Sequence, residues 1–262
     1  MLAEIQERII NCVCCPRLVA HRQHVADQKV RRFRSESYWG RPVPSFGDPL
    51  ARLLIIGLAP AAHGANRTGR AFTGDRSGDW LYEALHRYRF ANQPGSSHRQ
   101  DGLTPHDCFI TQVIRCAPPD NRPDRQEIAN CQSYLLDELR LLINVRVVIP
   151  LGRLAFDAYL RAYQQIGNTL PTPRPHFEHG KLTRLPTGHA FLPSYHPSQQ
   201  NTQTGRLTRA MFHQVFAAAR TLLDGNCGEG LGLTDRPRGC STAPQRGAQS
   251  RNRGSRTRPS ER

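Results

Sequence analysis

Four short apolar runs constrain the architecture of this chain. RLLIIG (52–57), CFITQVI (108–114), VRVVIPL (145–151) and AFLPSY (190–195) show little polar alternation, the pattern of parallel strands covered on both faces. Between and after them come polar loops and segments with apolar residues at steps of three and four. Leu81, Leu85 and Tyr88 share a face in 77–88, and Ile128, Cys131, Leu135, Leu139 and Leu142 do so in 124–143, which Pro123 is placed to open. Segments 152–162 and 205–223 complete the alternation, the latter with Leu207, Met211, Val215 and Leu222. The expected fold class is α/β, a three-layer α/β/α sandwich around a central, mostly parallel four-stranded sheet. Ligands of such sheets bind beyond the carboxyl ends of the strands. The chemistry therefore belongs in the loops after Gly57, Ile114, Leu151 and Tyr195.

The alternation stops near residue 224. Residues 225–262 are rich in Gly, Ser, Pro and Arg and hold only Leu231 and Leu233 as aliphatic residues larger than alanine. They cannot bury a core, so we expect one domain at 1–224 followed by a disordered tail. Residues 28–50, with Tyr38, Trp39 and a run of Pro and Gly, read as an ordered loop packed over something. No apolar stretch approaches the roughly 20 residues of a membrane span. MLAEIQERII carries acidic residues and leads straight into cysteines, unlike a secretory leader, which places the chain in the cytoplasm. The net charge is +15, and 34 of the 36 basic residues are arginine, whose planar fork suits phosphate. The tail's eight arginines against three carboxylates account for +5, leaving about +10 on residues 1–224. The domain itself is thus basic enough to seek a polyanion.

A cytoplasmic chain with eight cysteines calls for metal or redox chemistry rather than a disulfide framework. Cys12 and Cys15 form a CxxC, Cys116 closes the second strand, and Cys131 lies about two turns into the following helix. Four thiolates can converge there, and either zinc or an iron–sulfur cluster suits them. Cys14 and Cys108 read as structural, and Cys227 and Cys240, in the tail, as incidental.

The run GLAPAAHGANRTGRAFTGD (57–75) is long, glycine-rich and polar directly after a buried strand, so backbone amides can approach a ligand closely. It offers one aromatic, Phe72, one carboxylate, Asp75, and the cations Arg67 and Arg70 to hold phosphate. It is neither a Walker loop nor a GxGxxG dinucleotide loop. After the last strand, SYHPSQQNTQTGRLT (194–208) places His196 at a carboxyl end, fixed by Pro197 and suited to donate a hydrogen bond to a developing anion.

These two loops, with CVCCPRL (12–18) and RCAPPDNRP (115–123), resemble the uracil-DNA glycosylase superfamily, and specifically its family-5 (type-B) branch. The resemblance spans roughly residues 8–222. It implies a hydrolase of N-glycosyl bonds that removes uracil and other deaminated bases, hypoxanthine among them, from DNA. It also implies a 4Fe-4S cluster held by Cys12, Cys15, Cys116 and Cys131, structural because hydrolysis moves no electrons. In the best-known branch an aspartate of the first motif prepares the attacking water, and in the type-A branch a glutamate does so. Here Ala59 occupies that place, an absence that marks the type-B branch, and Asp75 is the nearest carboxylate left to orient water or stabilise charge. Where other branches read uracil with an Asn, Gln112 stands at the end of the second strand, which implies looser discrimination, with Asn121 as a second amide near the base.

The implied partner is double-stranded DNA containing the damaged base, with single-stranded DNA as a second form, bound by a monomer without a membrane. Duplex DNA hides the target, so the nucleotide must be extruded and its base stacked, here on Phe72 in a pocket floored by Gly57 and Ala59. His196 then donates to the base, while Gln199, Gln200 and Asn201 enter the minor groove and Arg206 adds a cation. No lysine lies in this constellation, so Schiff-base lyase chemistry is not expected. Two competing readings are a non-catalytic iron–sulfur protein that recognises damaged DNA, and a zinc-ribbon-like nucleic-acid binder that leaves both loop motifs without a purpose.

Overall fold

A computed structural model describes residues 1–225. The expected tail beyond Gly225, with Cys227 and Cys240, lies outside the described residues. The helices are α1 (Leu2–Ile10), α2 (Pro16–Gln28), α3 (Ala65–Thr68), α4 (Arg76–Arg87), α5 (Arg125–Leu141), α6 (Arg153–Gln165), α7 (Gln199–Gln203) and α8 (Arg209–Leu223). The strands are β1 (Phe46–Gly47), β2 (Leu53–Gly57), β3 (Cys108–Gln112), β4 (Val147–Pro150), β5 (Thr183–Arg184) and β6 (Ala190–Phe191), in the order β1-β3-β2-β4-β6-β5.

The four strands read from the apolar runs form the parallel centre, β3-β2-β4-β6. The sheet nevertheless has six strands, because β1 and β5 add antiparallel edges. Each is two residues long, too short to leave a period in the sequence. Along β2 the side chains alternate. Leu53 and Ile55 join a core with Leu81, Leu85, Phe212 and Phe216, which puts α4 and α8 on one face. Leu54 and Ile56 join Cys131, Phe156 and Tyr159, which puts α5 and α6 on the other. This is the three-layer sandwich.

Two helix boundaries differ from expectation. Asp124, not Pro123, begins α5 as the N-cap of a capping box in which Glu127 answers it. The last helical segment, expected over 205–223, begins only at Arg209. Gly205 takes φ +72° after α7, and Thr208 caps α8 by accepting the Met211 N–H, so Leu207 packs from the linker instead of from a helix. Segment 28–50 is an ordered cover, as expected: the Trp39 and Gly40 amides donate to the carbonyls of Arg67 and Asn66.

The amino-terminal helix is tied in by a buried ion pair. Arg115 and Glu138, 1% and 0% exposed, meet at 2.7 Å, and Thr111 and Ser45 also donate to the Glu138 carboxylate. Gln6 of α1 donates to the same carboxylate and accepts the Ser45 N–H. The Glu138 carboxylate is met from four side chains, which is what makes such a network tolerable, although the buried Arg115 Nε finds no partner of its own.

Candidate active site

The carboxyl ends of the four parallel strands surround a cavity of about 690 Å³. Leu58 and Ala59 line it from the end of β2, Gln112 from β3, Leu151 and Gly152 from β4, and His196 from beyond β6. The last two ends are locked together, since Gly152 N–H donates to the Ser194 carbonyl at 2.8 Å and a Cβ on Gly152 would touch the His196 Cβ. A larger concavity, about 1120 Å³, adjoins it and shares Ala61, Asp75, Arg76, Asn121 and Gln199.

Phe72 forms one wall. Its φ is +52°, a left-handed conformation that costs a bulky residue energy, and it is held by close packing on both sides. The ring lies so near Gly57 that a Cβ there would fall 2.7 Å from Cζ, and the Phe72 carbonyl lies equally hard against Gly78. Gly57 is therefore required for close approach, as a floor on which an aromatic rests. The His196 ring lies 6.0 Å from the Phe72 ring, tilted by 33°. Burial alone pushes the His196 pKa down to about 4, so its imidazole is neutral at pH 7, with one N–H to donate.

Asp75 is the N-cap of α4. Oδ1 accepts the Gly78 N–H at 2.9 Å, and Oδ2 lies against Gly64, where any side chain would collide with it. Burial raises its pKa, opposed by the amides of Gly78 and Ser77 and by Arg67. Gln112 is 3% exposed, and its Oε1 has no hydrogen-bond partner. A buried, unsatisfied acceptor on a cavity wall is costly without a ligand to meet it. Asn121 lies on the rim in a turn where both Asp120 and Asn121 have positive φ.

Other residues take different places. Gln199 and Gln200 are exposed on the rim, whereas Asn201 turns inward and donates from Nδ2 to the His196 carbonyl at 2.8 Å. Arg206 lines neither concavity; its guanidinium lies 4.7 Å over the Tyr195 ring, which also meets a parallel His179 at 5.0 Å and Phe177 at 5.7 Å. Arg67 and Arg70, expected as phosphate cations, are buried and engaged. Arg67 pairs with Glu36, and Arg70 with Asp101 at 2.7 Å while also donating to Thr73 and Ser96. Their role is to fix the loop. The exposed Arg32 and Arg76 on the walls have no carboxylate partner among the described residues. Arg76, Gly152, Arg153 and Leu154 line the cavities without having been singled out from the sequence. The last three follow the third parallel strand, a position that pointed to the site without naming side chains.

The cysteines Cys12, Cys15, Cys116 and Cys131 gather at one corner as free thiols, Cys12 half-buried and the others buried. Burial pushes Cys116 up to about 12 and Cys131 to about 11, and each is raised further by Cys12 and Cys15, a mutual influence that requires proximity. Asn130 donates to the Cys15 sulfur at 3.4 Å. Among the described residues no three His, Cys, Asp or Glu side chains are arranged to grip a single metal ion. A tetrahedral zinc needs its sulfurs about 2.3 Å from one point, whereas a cluster body holds its thiolates farther apart. Four converging thiols form a donor set that fits such a cluster.

The chain matches the family model of the uracil DNA glycosylase superfamily over residues 44–220. It is 49% identical over 216 residues to a type-5 uracil-DNA glycosylase of Thermus thermophilus, covering 82% of this chain and 95% of that protein. The chain is also similar to type-5 uracil-DNA glycosylases of Mycobacterium bovis, 49% identical over 222 residues (84% of this chain, 81% of the other), and Pyrobaculum aerophilum, 44% over 220 residues (84% and 92%). With four parallel strand ends opening on one cavity and a match across most of its length, this chain belongs to the uracil DNA glycosylase superfamily.

Proposed function

We propose that this chain is a monofunctional DNA glycosylase. It hydrolyses the N-glycosidic bond of uracil, and of other deaminated bases such as hypoxanthine, in DNA. The observation that carries the reading is the buried, unpartnered Gln112 amide facing a cavity walled by Phe72 and a neutral His196. A base still paired and stacked in a duplex cannot present its edge to the buried Gln112, so the nucleotide must be extruded, and unstacking costs a few kcal/mol. Its base stacks on Phe72 and meets Gln112. An amide presents an oxygen or, turned over, a nitrogen, so it serves more than one base edge, which supports a range wider than uracil.

As the C1′–N bond breaks, positive charge grows on the sugar and negative charge on the base. His196 donates its N–H to the base; a neutral donor stabilises the departing anion without first protonating it. Asp75, held by the α4 amides, faces the sugar cation and orients the water whose oxygen adds to C1′. The water's proton leaves with the base, and an abasic site remains. Ala59 leaves this part of the wall without a carboxylate, so the role falls to Asp75; Asp120, beside Asn121 on the rim, is the other carboxylate that lines the cavity. Neither Lys29 nor Lys181 lines the cavity, which supports hydrolysis without a Schiff base. Arg32 and Arg76 supply cations to the strand backbone along the larger concavity. The enzyme acts as a cytoplasmic monomer on double-stranded DNA.

Cys12, Cys15, Cys116 and Cys131 are the residues that would hold a 4Fe-4S cluster, tying the segment between α1 and α2 to the end of β3 and to α5. Bound there, it would supply a covalent clamp and no chemistry to hydrolysis.

The test is base release from duplexes carrying uracil, hypoxanthine or only normal bases, read as strand cleavage at abasic sites. Uracil release is expected, and Asp75→Asn should slow it far more than it weakens DNA binding. Binding without release from any substrate would make this a damage-recognition protein instead. Stoichiometric iron and acid-labile sulfide in the purified protein are expected; zinc without iron would overturn the cluster assignment.

A further inference from the structure

We propose that Arg22 is the buried counter-ion of the iron–sulfur cluster that Cys12, Cys15, Cys116 and Cys131 would hold, an inference that rests on the cluster reading above. Four arginines are buried among the described residues: Arg22, Arg67, Arg70 and Arg115. Three of them meet a carboxylate, Arg67 at Glu36, Arg70 at Asp101 and Arg115 at Glu138. Arg22, 4% exposed, meets none among the described residues. Its Nη1 donates to the Gly40 carbonyl, and its Nε has no partner. A carbonyl carries no net charge, and a buried cation left uncompensated is strongly destabilising.

The face of α2 that carries Arg22 runs to the cysteine corner. Cys15 is the N-cap of α2, and Leu18 and Arg22 follow it at steps of three and four, along one side of the helix. Leu18 and Arg22 are the two buried residues of α2, and Leu18 packs with Cys15, Cys116 and Cys131. At Cys116 the positive charge of Arg22 is the strongest influence that opposes burial. Two N–H donors already aim at sulfur in this corner, Asn130 at Cys15 and the Arg115 amide at Cys131. Asn66, which donates from Nδ2 to the Arg22 carbonyl, keeps an unpartnered Oδ1, but an amide oxygen supplies no charge to balance a guanidinium.

As thiols the four cysteines are neutral and offer Arg22 nothing. As thiolates around a 4Fe-4S core they form a dianion, and nearby charge and N–H donors tune the potential at which such a core is reduced. Arg22 is therefore a positioning residue for the cluster: it offsets part of that charge from outside the ligand set.

The test uses the iron-loaded, full-length protein and two variants. Arg22→Gln keeps an N–H donor for the Gly40 carbonyl but loses the charge, whereas Arg22→Lys keeps both. Arg22→Gln should lose iron to the chelator bathophenanthroline about tenfold faster than the unaltered protein. It should also be harder to reduce by the same factor, a fall of about 59 mV for one electron, because the reduced cluster carries one more negative charge. Arg22→Lys should stay within about twofold of the unaltered protein on both readouts. An iron-free Arg22→Gln beside an iron-loaded Arg22→Lys supports the proposal as well. Equal behaviour of the two variants overturns it, whether both match the unaltered protein or both lose the cluster, since packing or the Gly40 bond then accounts for Arg22. If dithionite leaves the cluster oxidised, the chelator rates decide alone. Absence of iron and sulfide from the unaltered protein overturns the cluster reading itself, whatever the variants do.

Discussion

The loop after β2 and the segment after β6 meet at one cavity but are built in opposite ways. In the first, residues 64–67 and 69–73 are buried and cross-tied to distant parts of the chain: Arg67 to Glu36, Arg70 to Asp101, Asn66 to the Arg22 carbonyl. In the second, residues 198–206 are half-buried or exposed, and their side-chain ties are mostly short-range, such as the Ser198 cap and the Asn201 bond to His196. One is a mould whose shape is set before any ligand arrives. The other is a face that meets the ligand. Stability and chemistry should therefore respond to different halves of the site.

The largest effect should come from the mould. Arg70→Ala leaves the buried Asp101 carboxylate with no countercharge and only the amides of Ser97, His98 and Leu103, and unfolding in urea should show about 3 kcal/mol of lost stability. A loss below 1 kcal/mol would mean that packing alone holds the loop. On the other side, His196→Ala should slow base release by about 10²–10³, or ~3 kcal/mol, while DNA affinity falls far less. A parallel loss of both would erase the division. His196 also links the halves through pH. Its pKa is about 4 folded, against an ordinary 6.5, so the unfolded chain takes up this proton first as pH falls. Stability present above pH 6.5 is lost as pH drops toward 4, on the order of 2 kcal/mol, and His196→Gln should remove that share of the slope. Asn201→Ala, which frees the His196 carbonyl, should lower kcat by about tenfold with little change in KM. The smallest effect belongs to the exposed face: Gln199→Ala should shift thermal stability by less than ~0.5 kcal/mol.

How much of this was legible follows the same division. The parallel centre was readable because Leu53 to Ile56 are apolar without interruption, which only a sheet covered on both faces rewards. Gln112 and His196 were readable because they stand at or just beyond strand ends where topology gathers them, and Phe72 and Asp75 because the long polar loop after β2 brings them back to the same cavity. The arginines were not. Nothing local distinguishes Arg70, closed on a carboxylate 31 residues away, from Arg76, which is open on the cavity wall. Arg206 and Asn201 mislead for the same reason: a polar side chain's direction is set by partners such as Tyr195 and the His196 carbonyl, and chain position does not reveal them.

The network around Glu138 bears on how the chain is made. Gln6 belongs to α1, yet its carboxylate partner lies 132 positions later and emerges only after they have been synthesised. Ile5 and Ile9 wait equally long for Tyr134. Until then the first helix has no apolar surface of its own to cover it, and Cys12 and Cys15 just behind it stand in the open while Cys116 and Cys131 are still untranslated. Domains generally fold as units during synthesis, and here α1 cannot close until α5 has been made, although it can do so before β6 and α8 complete the sheet and its other layer.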